Sequence, residues 1–349
     1  MRIGIHPDNM WGTSYSEKWT EFLTARGVEV ITLDLLESDA LLQAAKRSGV
    51  MCRYFHVQQD KQSLQRILYA IEHYLKIPVF PESQTAWHYD EKVAQWYLFD
   101  ALRAPQPQSW VFWDRERALS WADTACYPVV FKLSVGAGAS NVRKIETRDE
   151  ALRFIERMFG PGMFPMTMNE YRSDPSIRSL AQMKTLLWRT MHAAKYALFG
   201  AYPPLPDTWW KPEHGYALFQ EFLPGNAFDT RVTVIGDRAF AFRRMNRPGD
   251  FRASGSGNID YDQGKIDRRC LEIAFETSRK GGFQTMAYDF LYKDKSPVIC
   301  EICYTFVDTA VYACPGHWDS NLTWHEGKMW PEEAQIEDFI TEVSNRDMP

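Results

Sequence analysis

The sequence predicts an α/β unit followed by an α+β body, and three observations carry that prediction. Over the first 87 residues, strand-like and helix-like segments alternate as βαβαβαβ, the signature of a parallel sheet covered by helices. After residue 88 the alternation gives way to strand–loop–strand units, and from Tyr216 to hairpins. At 349 residues the chain is long enough for two or three domains. The expected division is 1–87, 88–215 with an insertion at 165–213, 216–330, and a C-terminal helix or tail at 331–349.

RIGIH, residues 2–6, reads as the first strand. WGTSYSEKWTEFLTARGVEV then offers Ser14 or Ser16 as an N-cap, apolar positions at Trp19, Phe22 and Leu23, and Gly27 as a stop. VEVITLDL is a strand, about 38–48 a helix, and about 50–56 a third strand. Leu64, Ile67, Leu68, Ile71 and Leu75 stand at helical spacing, and IPVFP is a buried strand by its apolar run. A helix from about 90 to 103 stops before Pro-Gln-Pro. WVFWD is a strand and RERALSWADTA a helix. PVVFKLS and NVRKIE are strands on either side of a glycine loop, and EALRFIERMF is a helix. In the insertion, Ile177, Leu180, Met183, Leu187, Met191, Ala194 and Leu198 repeat at helical spacing. YALFQEFL, FDTRVTVIG and AFAFRRMN are antiparallel strands, with Gly236-Asp237 as a hairpin turn. A helix at about 264–279 precedes a last hairpin, FQTMAYDFLYKDKSPVICEICYTF, turning at Lys293–Ser296.

Composition narrows the function classes. A net charge of −5 argues against nucleic acid as the main partner. No window approaches the ~20 apolar residues of a membrane-spanning helix. MRIGIHPDNMW lacks the long apolar core of a signal peptide. Six cysteines without a secretion signal imply reduced thiols, so a cytoplasmic location is expected.

Three constellations carry chemistry. In FKLSVGAGASNVRKI, Lys132 ends a strand and a loop of small residues, Ser134–Ser140, follows. Small residues let backbone N–H groups close on an anion, with the lysine as a point charge. A tight hairpin with an exposed lysine explains the same letters. It is no Walker loop, because no Gly-Lys-Ser/Thr follows, and no dinucleotide fingerprint, because a strand comes after it. Asp289 and Glu301 occupy the two arms of the last hairpin, with Glu301 expected on the face opposite Cys300 and Ile302. Carboxylates in such apolar strands need a counter-charge, either a hard cation such as Mg²⁺ or an Arg or Lys partner. Arg231, Arg243, Arg244 and Arg252 form a basic set suited to a triphosphate, or a solvated strand edge. Cys300-x-x-Cys303 and Cys314-x-x-His317 have a spacing zinc can use, but residues three apart in a strand point to opposite faces.

Taken together, their order resembles the ATP-grasp superfamily, and most closely the RimK-type carboxylate–amine ligases related to glutathione synthetases. The resemblance covers about residues 88 to 310. It implies an N-terminal parallel-sheet pre-ATP-grasp domain followed by a two-subdomain ATP-grasp fold, with ATP and Mg²⁺ as cofactors. DEKVAQWYLFDALRAPQPQSW resembles the helix whose lysine reaches ATP phosphate, here Lys92. PVVFKLSVGAGASNV resembles the strand of the second phosphate lysine, Lys132, with a mobile loop bearing Ser134, Gly136, Gly138 and Ser140. ALFQEFLPGNAFDTRV is similar to the hinge that brackets adenine, here Gln220, Glu221, Phe222 and Leu223, with Asp229 as the ribose-binding acid. Arg243, Arg244 and Arg252 match phosphate or acyl-phosphate contacts, and Asp289 and Glu301 the metal-binding acids. The sequence departs at the third metal position. The family usually has Asn there; this chain has Cys303, a soft and poor ligand for Mg²⁺.

The implied reaction has two steps. A substrate carboxylate takes the γ-phosphoryl group of ATP, and an amine then displaces phosphate. The expected partners are a small-molecule carboxylate and an amine. N-terminal stretches such as SYSEKW resemble a subgroup linked to cell-surface polysaccharide, so a saccharide acceptor is one expectation, with Tyr202, Trp209 and Trp210 able to stack on sugar rings. A kinase acting on a small acceptor and a non-catalytic ATP-binding module are the alternatives. The oligomeric state is open, a homodimer being one option.

Overall fold

The computed structural model describes residues 1–8, 14–56, 58–136, 141–163, 165, 212–247, 251 and 257–346. The expected insertion helix, Gly138, Ser140 and Arg252 lie outside the described residues. Strands β1 (Arg2–Ile5), β2 (Glu29–Thr32), β3 (Gly49–Met51) and β4 (Val79–Phe80) form a parallel sheet in the order β2-β1-β3-β4. Helix α1 (Tyr15–Ala25) begins at Ser14, whose hydroxyl accepts from the Glu17 amide. The helix expected over 38–48 is only α2 (Ala40–Ala44). It stops early because the Ser48 amide must donate to the Arg2 carbonyl, which joins the following strand to β1. Helix α3 (Gln58–Ala70) runs into a π-turn, Ile71–Leu75, that ends at left-handed Lys76. The short α4 (Ser83–Ala86) was not foreseen.

Next comes a small antiparallel sheet. Helix α5 (Lys92–Leu102) leads into β5 (Ser109–Phe112), α6 (Arg115–Thr124), β6 (Val129–Lys132), β7 (Val142–Ile145), α7 (Arg148–Met158) and β8 (Ala217–Glu221). The strand order is β5-β8-β6-β7. Phe131, Leu218 and Phe219 from the sheet and Ala118, Ala122, Ile155 and Met158 from α6 and α7 make its core.

The third layer is a larger antiparallel sheet. It holds β9 (Phe228–Ile235), β10 (Arg238–Met245), β11 (Ile259–Asp260), β12 (Thr285–Lys293), β13 (Ser296–Cys303), β14 (Gly316–Asp319) and β15 (Trp324–Glu326), with α8 (Arg268–Gly281), α9 (Asp308–Tyr312) and α10 (Pro331–Arg346). The order is β13-β12-β9-β10-β14-β15, with β11 beside β10. Between β12 and β13 the turn residues Asp294 and Lys295 have φ of 49° and 65°, a pair that matches the twist of a tight hairpin. CPGHWDSNLTW contributes the β14–β15 hairpin. That hairpin pairs with Arg238 and Ala239, the end of β10 remote from Arg244.

The parallel sheet and the large antiparallel sheet share cores. Leu33, Val50 and Leu68 from the first 87 residues pack in one cluster with Val232, Leu271 and Tyr288. Ile3, Trp19 and Phe80 pack in another with Phe240, Phe339 and Val343. Among the described residues, no helix is long and apolar enough to cross a membrane.

Candidate active site

A cleft lies between the small sheet and the large one, with wall residues from both. Strand alternation decides what lines it. On β6, Val130 and Lys132 share a face; on β12, Asp289 and Leu291 do. Apolar surface comes from Val130, Val142 and Leu291, with Phe222 and Leu223 past the end of β8. Charged surface comes from Lys92, Lys132, Glu221, Asp229, Arg244, Asp289 and Glu301.

The acids and arginines meet because of register. Asp229 and Arg231 share a face of β9; Arg244 lies opposite Asp229, Asp289 opposite Arg231, and Glu301 opposite Asp289. Arg244 forks onto Asp229 at 2.8 and 2.6 Å and reaches Asp289 at 2.7 Å. Arg231 forks onto Asp289 at 2.7 and 2.8 Å. Burial would raise the Asp289 carboxyl, but the two guanidiniums override it and hold Asp289 well below the usual range. Burial and then the negative charge of Asp289 push Asp229 up, which Arg244 only partly offsets.

Two side chains stand elsewhere than the sequence suggests. Arg243 is on the reverse face of β10, opposite Thr230. It donates to Asp260 at 2.6 Å and lies 4.6 Å over the Phe228 ring, so it does not line the cleft. Glu301 is not on the face away from Cys300. Pairing jumps from Asp289–Glu301 to Phe290–Ile299, so Cys300 is an extra, bulged residue, and both side chains line the cleft. The Lys132 ammonium sits 3.5 Å from the Cys300 sulfur.

Lys92 begins α5. Its ammonium donates to the Gly136 carbonyl at 2.9 Å and pairs with Glu301 at 3.1 Å. Burial works against its charge, but Glu301 and Asp90 outweigh burial and hold Lys92 above its ordinary value. Ser134 and Gly136 are not part of the cleft lining. The Ser134 hydroxyl donates to Glu91 at 2.7 Å, and the Gly136 amide donates to Asp90 at 2.9 Å. Gly136 has φ of 117°, and a Cβ there would stand 2.3 Å from the Asn141 amide nitrogen, so the position requires glycine.

In the hinge, Glu221 accepts from the Gln108 amide at 2.7 Å and from Lys293 at 2.8 Å, fixing it beside β5 and β12. Gln220 donates to the Ser109 hydroxyl at 3.0 Å. Asn226, not singled out in the sequence, ties the hinge to β12 by accepting from the Tyr292 amide at 2.8 Å and donating to the Tyr292 carbonyl at 3.0 Å. Val130 and Leu291 were also missed. Their signal was available: each is two residues from a singled-out charge in a strand.

The donor set suits a hard cation only in part. Asp289 and Glu301 are oxygen donors on adjacent strands, enough for Mg²⁺ held chiefly by phosphate oxygens and water. Cys303, opposite Ala287, adds nothing comparable. Its sulfur is 3.4 Å from the Thr305 hydroxyl, and burial pushes the thiol up to about 11, so it stays protonated at neutral pH. Among the described residues, no three His, Cys, Asp or Glu side chains gather as a metal cluster. A second cavity borders the other side of α5 and the loop at Val135, with His56, Lys61 and Trp87 in its wall.

No family model and no curated protein matches this sequence. Solved structures do match in fold. A RimK domain ATP-grasp protein from Sphaerobacter thermophilus is 15% identical, with a TM-score of 0.56 over 98% of this chain and 100% of that one. D-alanine–D-alanine ligase from Bacillus anthracis, solved with ATP, is 12% identical, with a TM-score of 0.56 over 99% of this chain and 98% of that one. N5-carboxyaminoimidazole synthase from Aspergillus clavatus is 11% identical, with a TM-score of 0.56 over 97% of this chain and 76% of that one. The chain therefore has the ATP-grasp fold: a parallel-sheet domain followed by two antiparallel lobes.

Proposed function

We propose that this protein is an ATP- and Mg²⁺-dependent ligase that activates a carboxylate as its acyl phosphate and joins it to an amine. The observation that carries the reading is the cleft itself. Lys92, Lys132, Arg244, Asp289 and Glu301, distant in sequence, line one cavity together with an apolar slot and a strand-end hinge. In this reading Val130, Val142 and Leu291 cover the faces of adenine, and backbone groups at Gln220–Leu223 bracket its edge. Asp229 and Asn226 stand at the ribose. Lys92, Lys132 and Arg244 place positive charge where phosphate charge gathers, so rate enhancement comes from positioning and electrostatics. Asp289 and Glu301 would hold Mg²⁺, which when bound neutralises phosphate charge. Arg252 acts as a further phosphate contact, and the loop bearing Gly138 and Ser140 excludes water from the acyl phosphate.

In this reading the enzyme attaches an amino acid or similar group to a sugar, a peptide or a cell-surface polysaccharide precursor. Support for the saccharide is the sequence resemblance alone. The test is ADP release in the presence of hydroxylamine with candidate carboxylates. A hydroxamate together with ADP supports the ligase. ADP with a phosphorylated acceptor and no hydroxamate means a kinase. Bound ATP without ADP formation means a binding module.

A further inference from the structure

Around Lys92 lies a chain of contacts that the proposed reaction does not use. Asp90 is buried, just before α5, with φ of 49°. One of its oxygens accepts from the Gly136 amide at 2.9 Å; the other is buried with no hydrogen-bond partner among the described residues. The carbonyl of the same Gly136 accepts from the Lys92 ammonium at 2.9 Å, and that ammonium meets Glu301 at 3.1 Å. The Lys92 amide donates to the Ser134 carbonyl at 2.7 Å, locking the start of α5 to the same loop.

A buried carboxylate with one oxygen unsatisfied is costly, and a left-handed non-glycine residue adds to that cost. Something must be gained from holding Gly136. A lysine has a flexible four-carbon stem, and an ammonium that must meet a phosphate benefits from being aimed beforehand. Gly136 supplies the aiming carbonyl, and Asp90 fixes Gly136. We propose that Asp90 is a positioning residue for Lys92, acting through the Gly136 backbone to hold the ammonium in the cleft. The proposal rests on the nucleotide reading of the cleft.

The test compares ATP with adenosine, which has no phosphate, by calorimetry with the full chain and Mg²⁺. Asp90→Gly keeps the left-handed backbone and removes the carboxylate. Its Kd for ATP should rise about tenfold, the effect of losing one aimed charge-assisted contact, while its Kd for adenosine stays within about twofold. Asp90→Asn keeps an accepting oxygen without the charge and should recover most of the lost affinity. In a double-mutant cycle, Asp90→Gly should add nothing to Lys92→Ala, because both act on one ammonium. Unchanged ATP affinity in Asp90→Gly, equal losses in the Asn and Gly variants, or additivity with Lys92→Ala overturns the proposal. A general folding defect would weaken adenosine too, and Asp90→Asn then decides. Failure of the wild-type chain to bind either ligand sinks the nucleotide reading, and this proposal with it.

Discussion

Asp289 shares one carboxylate between two guanidiniums, and that sharing sets what its loss does. Asp289→Asn leaves Arg231 and Arg244 buried with a missing counter-charge. The expected cost is about 3–5 kcal/mol in a urea titration, the range for breaking a buried pair. The pH sign follows from a depressed carboxyl. The stability Asp289 contributes is present above the ordinary carboxylate value and is lost as pH falls below it. The acid limb of the stability curve should therefore flatten in Asp289→Asn. Glu301 is a contrasting case, since its side chain is 37% exposed and its partner Lys92 has other contacts. Glu301→Gln should leave the melting temperature within a few degrees while ADP formation falls about 100-fold or more. Full activity in that variant would remove Glu301 from the site.

At the scale of elements, α1 and α10 form the most testable contact. Trp19 is fully buried between them, and its indole N–H donates to Gln335 at 2.9 Å. Trp19→Ala should destabilise the chain by about 3–5 kcal/mol. At the start of α10, Glu332 is fully buried beside Asp308 of α9 and Lys18 of α1, the latter at 3.9 Å. Burial pushes its carboxyl up to about 8 from the ordinary 4.5, with Lys18 opposing and Asp308 assisting. A raised acid contributes stability that is full below its unfolded value and lost as pH rises through the folded one. Glu332→Gln should flatten the melting temperature between about pH 4.5 and 8 and raise it at pH 8. In the β12–β13 turn, Lys295→Gly should stabilise by about 1 kcal/mol, since it relieves a left-handed non-glycine residue. Elements with a strong local signal were legible in the letters: a serine cap at Ser14 or Ser16, of which Ser14 is the cap, the Gly236 turn, and the hairpin turning at Lys293–Ser296. The bulge at Cys300 was not, because strict alternation is the default reading of an apolar strand and only the pairing partner reveals the extra residue.

The whole molecule joins what the chain separates. Residues from the first 87 share cores with residues beyond 230, so removing the N-terminal segment would expose Val232, Leu271 and Tyr288. Sequence could announce the parallel sheet and the hairpins, because each has a local period. It could not announce those shared cores, which depend on contacts between parts of the chain far apart in sequence. The same divide runs through the site. Lys92, Lys132, Asp229, Asp289 and Glu301 were recognisable as letters in order, whereas the placement of Arg243 on the reverse face required the register of β9 and β10. The central claim is that the two antiparallel lobes hold one adenine nucleotide between them. Calorimetry of the full chain with ATP and Mg²⁺ tests it most directly. The account predicts one site, weakened about tenfold or more by Lys132→Ala in a variant that still melts as wild type does. No heat of binding from a well-folded chain, or an affinity indifferent to Lys132, would contradict it.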